Sequence, residues 1–418
     1  MAQLSDDCFA FGGELMPTAE ALDLLAERTA TVVSTERVAL RQAAGRVLAE
    51  DIRADGDVPP HDNSAVDGYA VNFDDLEVHA ATSLKVVGRA TAGHPFDGTV
   101  GSGEAVRIFT GAEMVRGPDT VIMQEDCTQD GETVVISPGI KRGANVRSAG
   151  EDIKAGSVIL EMNRRLRAQD VGLAASVGRG HLVVYKPLRV AVFSTGDELY
   201  DPDRDLPAGG IYDSNRYTLI ALLEELGCSV NDLGILEDRF ETIRDALDDA
   251  ARHHDLIVTS GGMSVGEEDH VKAAVEALGS LHFWRLAIKP GRPIGLGQVG
   301  AVPFVGLPGN PVAVMVTFMR IARPMILRLG GCSEVTPNVF QVRADFAHKK
   351  KTGRREWVRA RLVADGDGQP VATKFPRQGA GILSSMVEAD GLVELPEDMK
   401  QLKAGTIVDF LPFSEVSR

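Results

Sequence analysis

Between Pro187 and Gly331, short and continuously apolar runs alternate with helix-like runs, and this alternation limits what the chain can fold into more than any other feature. Strand-like pieces at Arg189 to Phe193, Asp255 to Thr259, Leu281 to Ile288 and Val302 to Val305 are separated by helix-like stretches at Arg216 to Leu226, Glu241 to His254, Val271 to Leu278 and Pro311 to Leu329. Repeated strand–helix–strand units build a parallel sheet. Helices covering both faces explain why Leu256-Ile257-Val258 shows no polar alternation.

The 418 residues exceed what one core can serve, because single cores stop growing near ~250–300 residues. Pro17 to Ala30 reads as a helix that Thr18 can cap, and Leu166 to Val177 reads as a second helix able to pair with it. Tyr69 to Pro138 carries short alternating runs divided by Gly, Pro and Asp, a β-rich pattern. After Gly331 the helices stop, and short strands broken by Asp-Gly and Pro fit a small β-barrel or sandwich.

A formal charge of −16 repels polyanions, so nucleic acid and anionic membrane surfaces are excluded as general partners. No apolar stretch approaches the ~18 residues of a membrane helix, and Met1 to Leu15 lacks the basic start and apolar run of a signal peptide. Cys8, Cys127, Cys228 and Cys332 are scattered without a C-x-x-C pair, as expected for reduced thiols in the cytoplasm.

Three glycine-rich loops follow apolar strands: Ser194 to Glu198, Thr259 to Gly266 and Gly306 to Pro311. In an open parallel sheet, ligands bind outside the carboxyl ends of the strands. Glycines there let backbone N–H groups approach a phosphate, and a following helix adds its N-terminal dipole. Gly261, Gly262, Ser264, Pro308, Gly309, Asn310 and Pro311 are therefore candidate substrate contacts, with Asn310 the expected N-cap and Pro311 the first helical residue. No loop matches G-x-G-x-x-G or G-x-x-x-x-G-K-[ST], which disfavours a dinucleotide site and a P-loop. Lys289 and Arg292, with Arg285 on the preceding strand, can meet an anion at the same edge. Asp197, Glu198, Asp238 and Asp269 supply the oxygen ligands that suit a hard cation such as Mg²⁺. A second constellation is polar: His61 to Ala70, then Thr110-Gly111-Ala112, then Lys141 to Asp152. His348 to Glu356 is a basic run that predicts a local positive patch or a solvated hairpin tip.

Nine stretches in order resemble the molybdopterin molybdenumtransferase family, which includes the C-terminal domain of gephyrin. They are DNSAVDGYAV (62–71), FTGAEMVRGPDTVIMQED (109–126), NVRSAGEDIKAG (145–156), STGDEL (194–199), YDSN (212–215), TSGGMSVGEEDH (259–270), AIKPGRPIGLG (287–297), GLPGNPVAV (306–314) and QGAGILSSM (378–386). The resemblance implies a multidomain α/β-plus-β chain. Its parts are a discontinuous helical linker (1–55 and 140–185), a β-rich domain (56–139), a doubly wound α/β molybdopterin-binding domain (186–331) and a C-terminal β-barrel (332–418). It implies a homodimer whose active cleft lies between the α/β domain of one subunit and the β-rich domain of the other. It further implies that molybdate is inserted into adenylylated molybdopterin with release of AMP, dependent on Mg²⁺ or another divalent cation. Carried over by motif, Asp62, Thr110, Asp152, Glu198, Asp238, Asp269 and Lys289 are catalytic. Glu198, Asp238 and Asp269 hold the metal, and Arg354 with Ser384 or Ser385 joins the substrate-binding set. Arg285 stands where many relatives have lysine. Molybdopterin adenylyltransferase and molybdoenzymes are the implied transient partners.

Two other functions compete. The α/β unit also resembles molybdopterin adenylyltransferase, whose loop reads Gly-Gly-Thr-Gly where this chain has Gly261-Gly262-Met263-Ser264. A gephyrin-like scaffold would need an exposed apolar groove for a partner peptide.

Overall fold

The computed structural model describes residues 15–262 and 270–416. Ser264 and Asp269, two of the expected site residues, lie outside these.

The first helix, α1 (Thr18–Arg28), begins after Pro17, and Thr18 is its buried first residue rather than a cap. It does not pair with the second helix, α2 (Ala168–Ser176). Ala21 and Leu25 of α1 pack into the α/β core, while Ala174 of α2 joins a separate core with Val38, Leu48, Leu160 and Val184. The reason is chain tethering: the Met16 amide donates to the Arg285 carbonyl, and its own carbonyl accepts from Ala287. The β-rich region is a six-stranded sheet over Gly68–Val71, Thr82–Ala90, Glu104–Ile108, Thr120–Met123, Cys127–Asp130 and Thr133–Ile136.

In the α/β unit, β1 (Arg189–Thr195) precedes α3 (Ser214–Glu225), β2 (Ser229–Leu236), α4 (Phe240–His253) and β3 (Leu256–Ser260). Next come α5 (His270–Leu278), β4 (Gly279–Arg285), β5 (Ile288–Lys289), β6 (Pro293–Val299) and β7 (Val302–Leu307). The helical stretch that follows runs as α6 (Pro311–Thr317), a π-helical turn (Phe318–Ala322) and α7 (Arg323–Leu329). Sheet order is β2-β1-β3-β7-β6-β4. Alternate β1 residues serve opposite faces, Val190 and Val192 toward α3 and α6–α7, Ala191 and Phe193 toward α4 and α5. That two-sided burial makes the sheet doubly wound and accounts for its unbroken apolar runs.

The sheet is not wholly parallel. Pro293–Val299, absent from the strands expected from sequence, is β6, antiparallel to both β7 and β4. Its glycines hid it: Gly295 and Gly297 leave little side chain to signal a strand, yet Ser280 O lies 2.2 Å from where a Gly297 Cβ would sit. Two reversals restore direction, so β4 still ends at the same edge as β1, β3 and β7.

The C-terminal strands β8 (Phe340–Ala344), β9 (Arg355–Ala364), β10 (Pro370–Lys374), β11 (Gly391–Leu395) and β12 (Ile407–Pro412) close through the β9–β11 pairing into a five-stranded barrel. Strand β5 of the α/β unit joins this barrel, with Ile288 opposite Arg355 and Lys289 opposite Glu356 in parallel register.

Candidate active site

Because β1, β3 and β7 are adjacent and parallel, their carboxyl ends bring three glycine loops together. The approach is close. A Cβ on Gly261 would lie 3.7 Å from Thr195 O, and one on Gly309 would lie 3.9 Å from the Gly261 Cα. Gly262, at φ +60°, leaves no room for a side chain against Val271 Cγ2 at 2.6 Å. Asn215 donates to the Gly309 carbonyl at 2.7 Å and so braces the third loop from α3. Asn310 occupies the N-cap position, but its side chain makes no capping bond. The Val312 N–H is taken instead by Ala380 O at 3.0 Å, a carbonyl from the barrel side.

The second and third of these loops form one wall of a cavity of about 460 Å³. Gly261, Gly262, Pro308, Gly309 and Asn310 face Lys289, Gly291 and Arg292, and the barrel closes it with Glu356, Trp357, Arg359 and Gln378. Of the barrel side, the sequence pointed to Arg354 and to the motif that holds Gln378 and Ser385, but not to Glu356, Trp357 or Arg359. Arg359 is 1% exposed, and no carboxylate among the described residues forms an ion pair with it. Its Nε donates to Ser385 Oγ at 3.0 Å and its Nη2 to Gly379 O at 2.9 Å. Burial pushes this guanidinium down to about 10, and the nearby Glu356 charge only partly opposes that. A buried cation whose partners are neutral can receive an anion. Ser385, fully buried, serves Arg359, whereas Ser384 is exposed. This separates the two serines that the motif left open.

The arginine pair separates too. Arg355 is held by Glu394 and by Glu397 (3.1 Å), whereas Arg354 is half-buried with its Nε unpartnered. The basic run is not a plain solvated tip. Lys350 donates to the carbonyls of Pro396, Glu397 and Met399, and the His348 ring bonds Glu356 at 3.0 Å.

Asp238 is half-buried beyond β2 and accepts from Thr195 Oγ1 at 3.2 Å. Glu198 folds back over Gly196, its Oε2 2.7 Å from where a Cβ would be. Both carboxylates thus flank one turn, Thr195-Gly196. Among the described residues, no three of His, Cys, Asp and Glu gather as a metal cluster. Arg285 is exposed on β4 and does not line the cavity. Neither do Asp62, Thr110 and Asp152. Asp62 accepts from the Ala149 N–H at 2.8 Å, and the Asp152 N–H bonds Val58 O. Thr110 gives both its N–H and its hydroxyl to Asp67 Oδ1, and these two bonds hold the Asp67 carboxyl below its ordinary range.

A doubly wound sheet presenting glycine turns and cations at one edge, with a barrel as its far wall, defines a multidomain α/β-plus-β protein with an inter-unit cavity suited to anionic small molecules. Residues 16–178 match the MoeA N-terminal region (domain I and II), 191–328 a probable molybdopterin binding domain, and 341–413 the MoeA C-terminal region (domain IV). A molybdopterin molybdenumtransferase of Haemophilus influenzae is 40% identical over 95% of this chain and 98% of its own length. One from Nostoc sp. is 36% identical over 87% and 85%. The crystal structure of a molybdopterin biosynthesis moeA protein from Pyrococcus horikoshii superposes with a TM-score of 0.83 at 29% identity, covering 96% of this chain and all of that one. The chain belongs to the molybdopterin molybdenumtransferase family.

Proposed function

We propose that the chain is a transferase that inserts molybdenum into molybdopterin, and that the cavity between the α/β edge and the barrel is where the reacting anions meet. The observation that carries this is the meeting of two glycine turns, Gly261-Gly262 and Pro308-Gly309, with Lys289, Arg292 and Arg359 around one space. Molybdate and a pterin phosphate are both tetrahedral oxyanions, and holding them together needs cations that water does not screen. Arg359 forms the dry floor. Lys289 and Arg292 stand at the mouth, and the loop N–H groups offer neutral donors.

The finer reading is that the pterin arrives adenylylated and that AMP leaves. Glu198 and Asp238 at the Thr195-Gly196 turn fit a magnesium ion, which normally takes one or two carboxylates and completes its shell with phosphate oxygens and water. Asp269 is the third proposed ligand. Bound there, magnesium would polarise a phosphate as a Lewis acid. Asp62, Thr110 and Asp152 are proposed to complete the cleft from a second copy of the chain, in a cytoplasmic homodimer.

The test is molybdenum incorporation and AMP release from adenylylated molybdopterin and molybdate. Arg292→Ala, an exposed change, should lower incorporation about tenfold, the cost of one charge-assisted bond of ~1.4 kcal/mol. Full incorporation by this variant, or formation of the adenylate itself from ATP and molybdopterin, would overturn the assignment.

A further inference from the structure

Lys289 does not stand alone at the cavity mouth. Its ammonium donates to Glu356 Oε1 at 2.6 Å, and the same oxygen receives His348 Nε2 at 3.0 Å. Glu356 is 2% exposed, and its other oxygen, Oε2, is buried without a partner among the described residues. The three residues come from three elements. Lys289 is on β5, Glu356 on β9, and His348 on a short strand paired with Gln401–Leu402. The β5–β9 register sets Lys289 and Glu356 directly opposite each other.

We infer that Glu356 is a positioning residue for molybdenum insertion, holding the Lys289 ammonium at a fixed point on the cavity mouth while His348 fixes the carboxylate. This rests on the cavity being the insertion site. An ammonium has three N–H donors. One is spent on Glu356, and the Lys289 side chain is 43% exposed, which leaves two for an arriving oxyanion. Free of its tether, a lysine samples many rotamers, and fixing it at the reacting anion is what raises turnover. Oε1 carries both donors although Oε2 has no partner among the described residues, so His348 and Lys289 are locked to one atom and one geometry.

Tethering leaves a kinetic signature that damage to the fold does not. Glu356→Gln removes a negative charge beside an anion site, so molybdate should bind no more weakly and its KM should hold or fall. Lys289 is then no longer fixed, so kcat should drop about tenfold. Glu356→Asp keeps the charge and should recover part of that loss. Because Glu356 acts through Lys289, the double variant Lys289→Ala/Glu356→Gln should be no slower than Lys289→Ala alone. A thermal melt of each variant keeps folding losses separate. An unchanged kcat in Glu356→Gln, or losses that multiply in the double variant, would overturn the inference and leave the site assignment standing. Unchanged turnover by Lys289→Ala would instead sink the site assignment.

Discussion

Replacing Arg216 with leucine should cost the α/β unit about 3 kcal/mol, and the structure shows where that figure comes from. Arg216 is 3% exposed on α3 and binds three aspartates, Asp201, Asp213 and Asp232. Asp201 and Asp232 keep 32% and 40% of their side-chain surface in water, so losing the guanidinium costs them little. Asp213 is different, because it is 2% exposed and would keep only the Arg216 backbone N–H at 3.2 Å. Breaking a buried pair from one side costs about 3–5 kcal/mol, and the surviving N–H bond places this case at the lower end. Urea unfolding followed by Trp284 fluorescence in a Trp357→Phe background reports the α/β unit, since these are the two tryptophans of the chain and Trp284 lies in its core. Adding Asp213→Asn should return about 1–2 kcal/mol, because asparagine still caps α3 and carries no charge. A loss below about 1 kcal/mol, or a double variant no more stable than Arg216→Leu, would refute the reasoning. Asn215 sits one residue away and braces Gly309, so Arg216→Leu should also weaken molybdate binding by native protein.

Two further outcomes follow from the cavity wall. Burial raises the Glu356 carboxyl, but hydrogen bonds from His348 and Lys289 outweigh it and hold the group down at about 2 against an ordinary 4.5. A depressed acid stabilises the fold above its unfolded value and loses that contribution as pH falls through the folded one. Glu356→Gln should therefore flatten the acid limb of stability between about pH 4.5 and 2, as seen in melts across that range; an unaltered limb would discount the ion pairs. Gly291→Ala puts a Cβ 2.5 Å from Thr317 Oγ1 at φ +86°, so the Lys289–Pro293 loop must shift. We expect a loss of about 1–3 kcal/mol and a weakened molybdate titration, and wild-type values for both would contradict the packing described here.

The α/β unit was legible because its signals are local. An apolar run ending in glycine marks a buried strand and its turn, and adjacency in a parallel sheet does the rest, so Gly262, Lys289 and Pro308 met as expected, while Asp197 does not line the cavity. Arg359 and Glu356 were not legible as site residues, because they reach the cavity only when the barrel folds back over the edge. Gln378 lay inside a recognised motif, yet its role is to grip the Arg359 backbone, at 3.1 Å in both directions. One local signal did exist. Glu356 and Arg359 interrupt the buried run Glu356 to Ala360, and charges inside such a strand need partners or a purpose. The supposed pairing of α1 with α2 failed because helix periodicity shows that a face is apolar, not which surface will cover it.

The two-residue splice of β5 onto the barrel makes a mechanical statement about the molecule. A segment owned by one unit and hydrogen-bonded into the next acts as a rivet. Any swing of the barrel on the α/β sheet must drag Lys289 with it or shear the ladder. Opening the cavity and withdrawing its mouth cation are therefore one motion. A bound anion that grips this lysine would pull the two bodies shut.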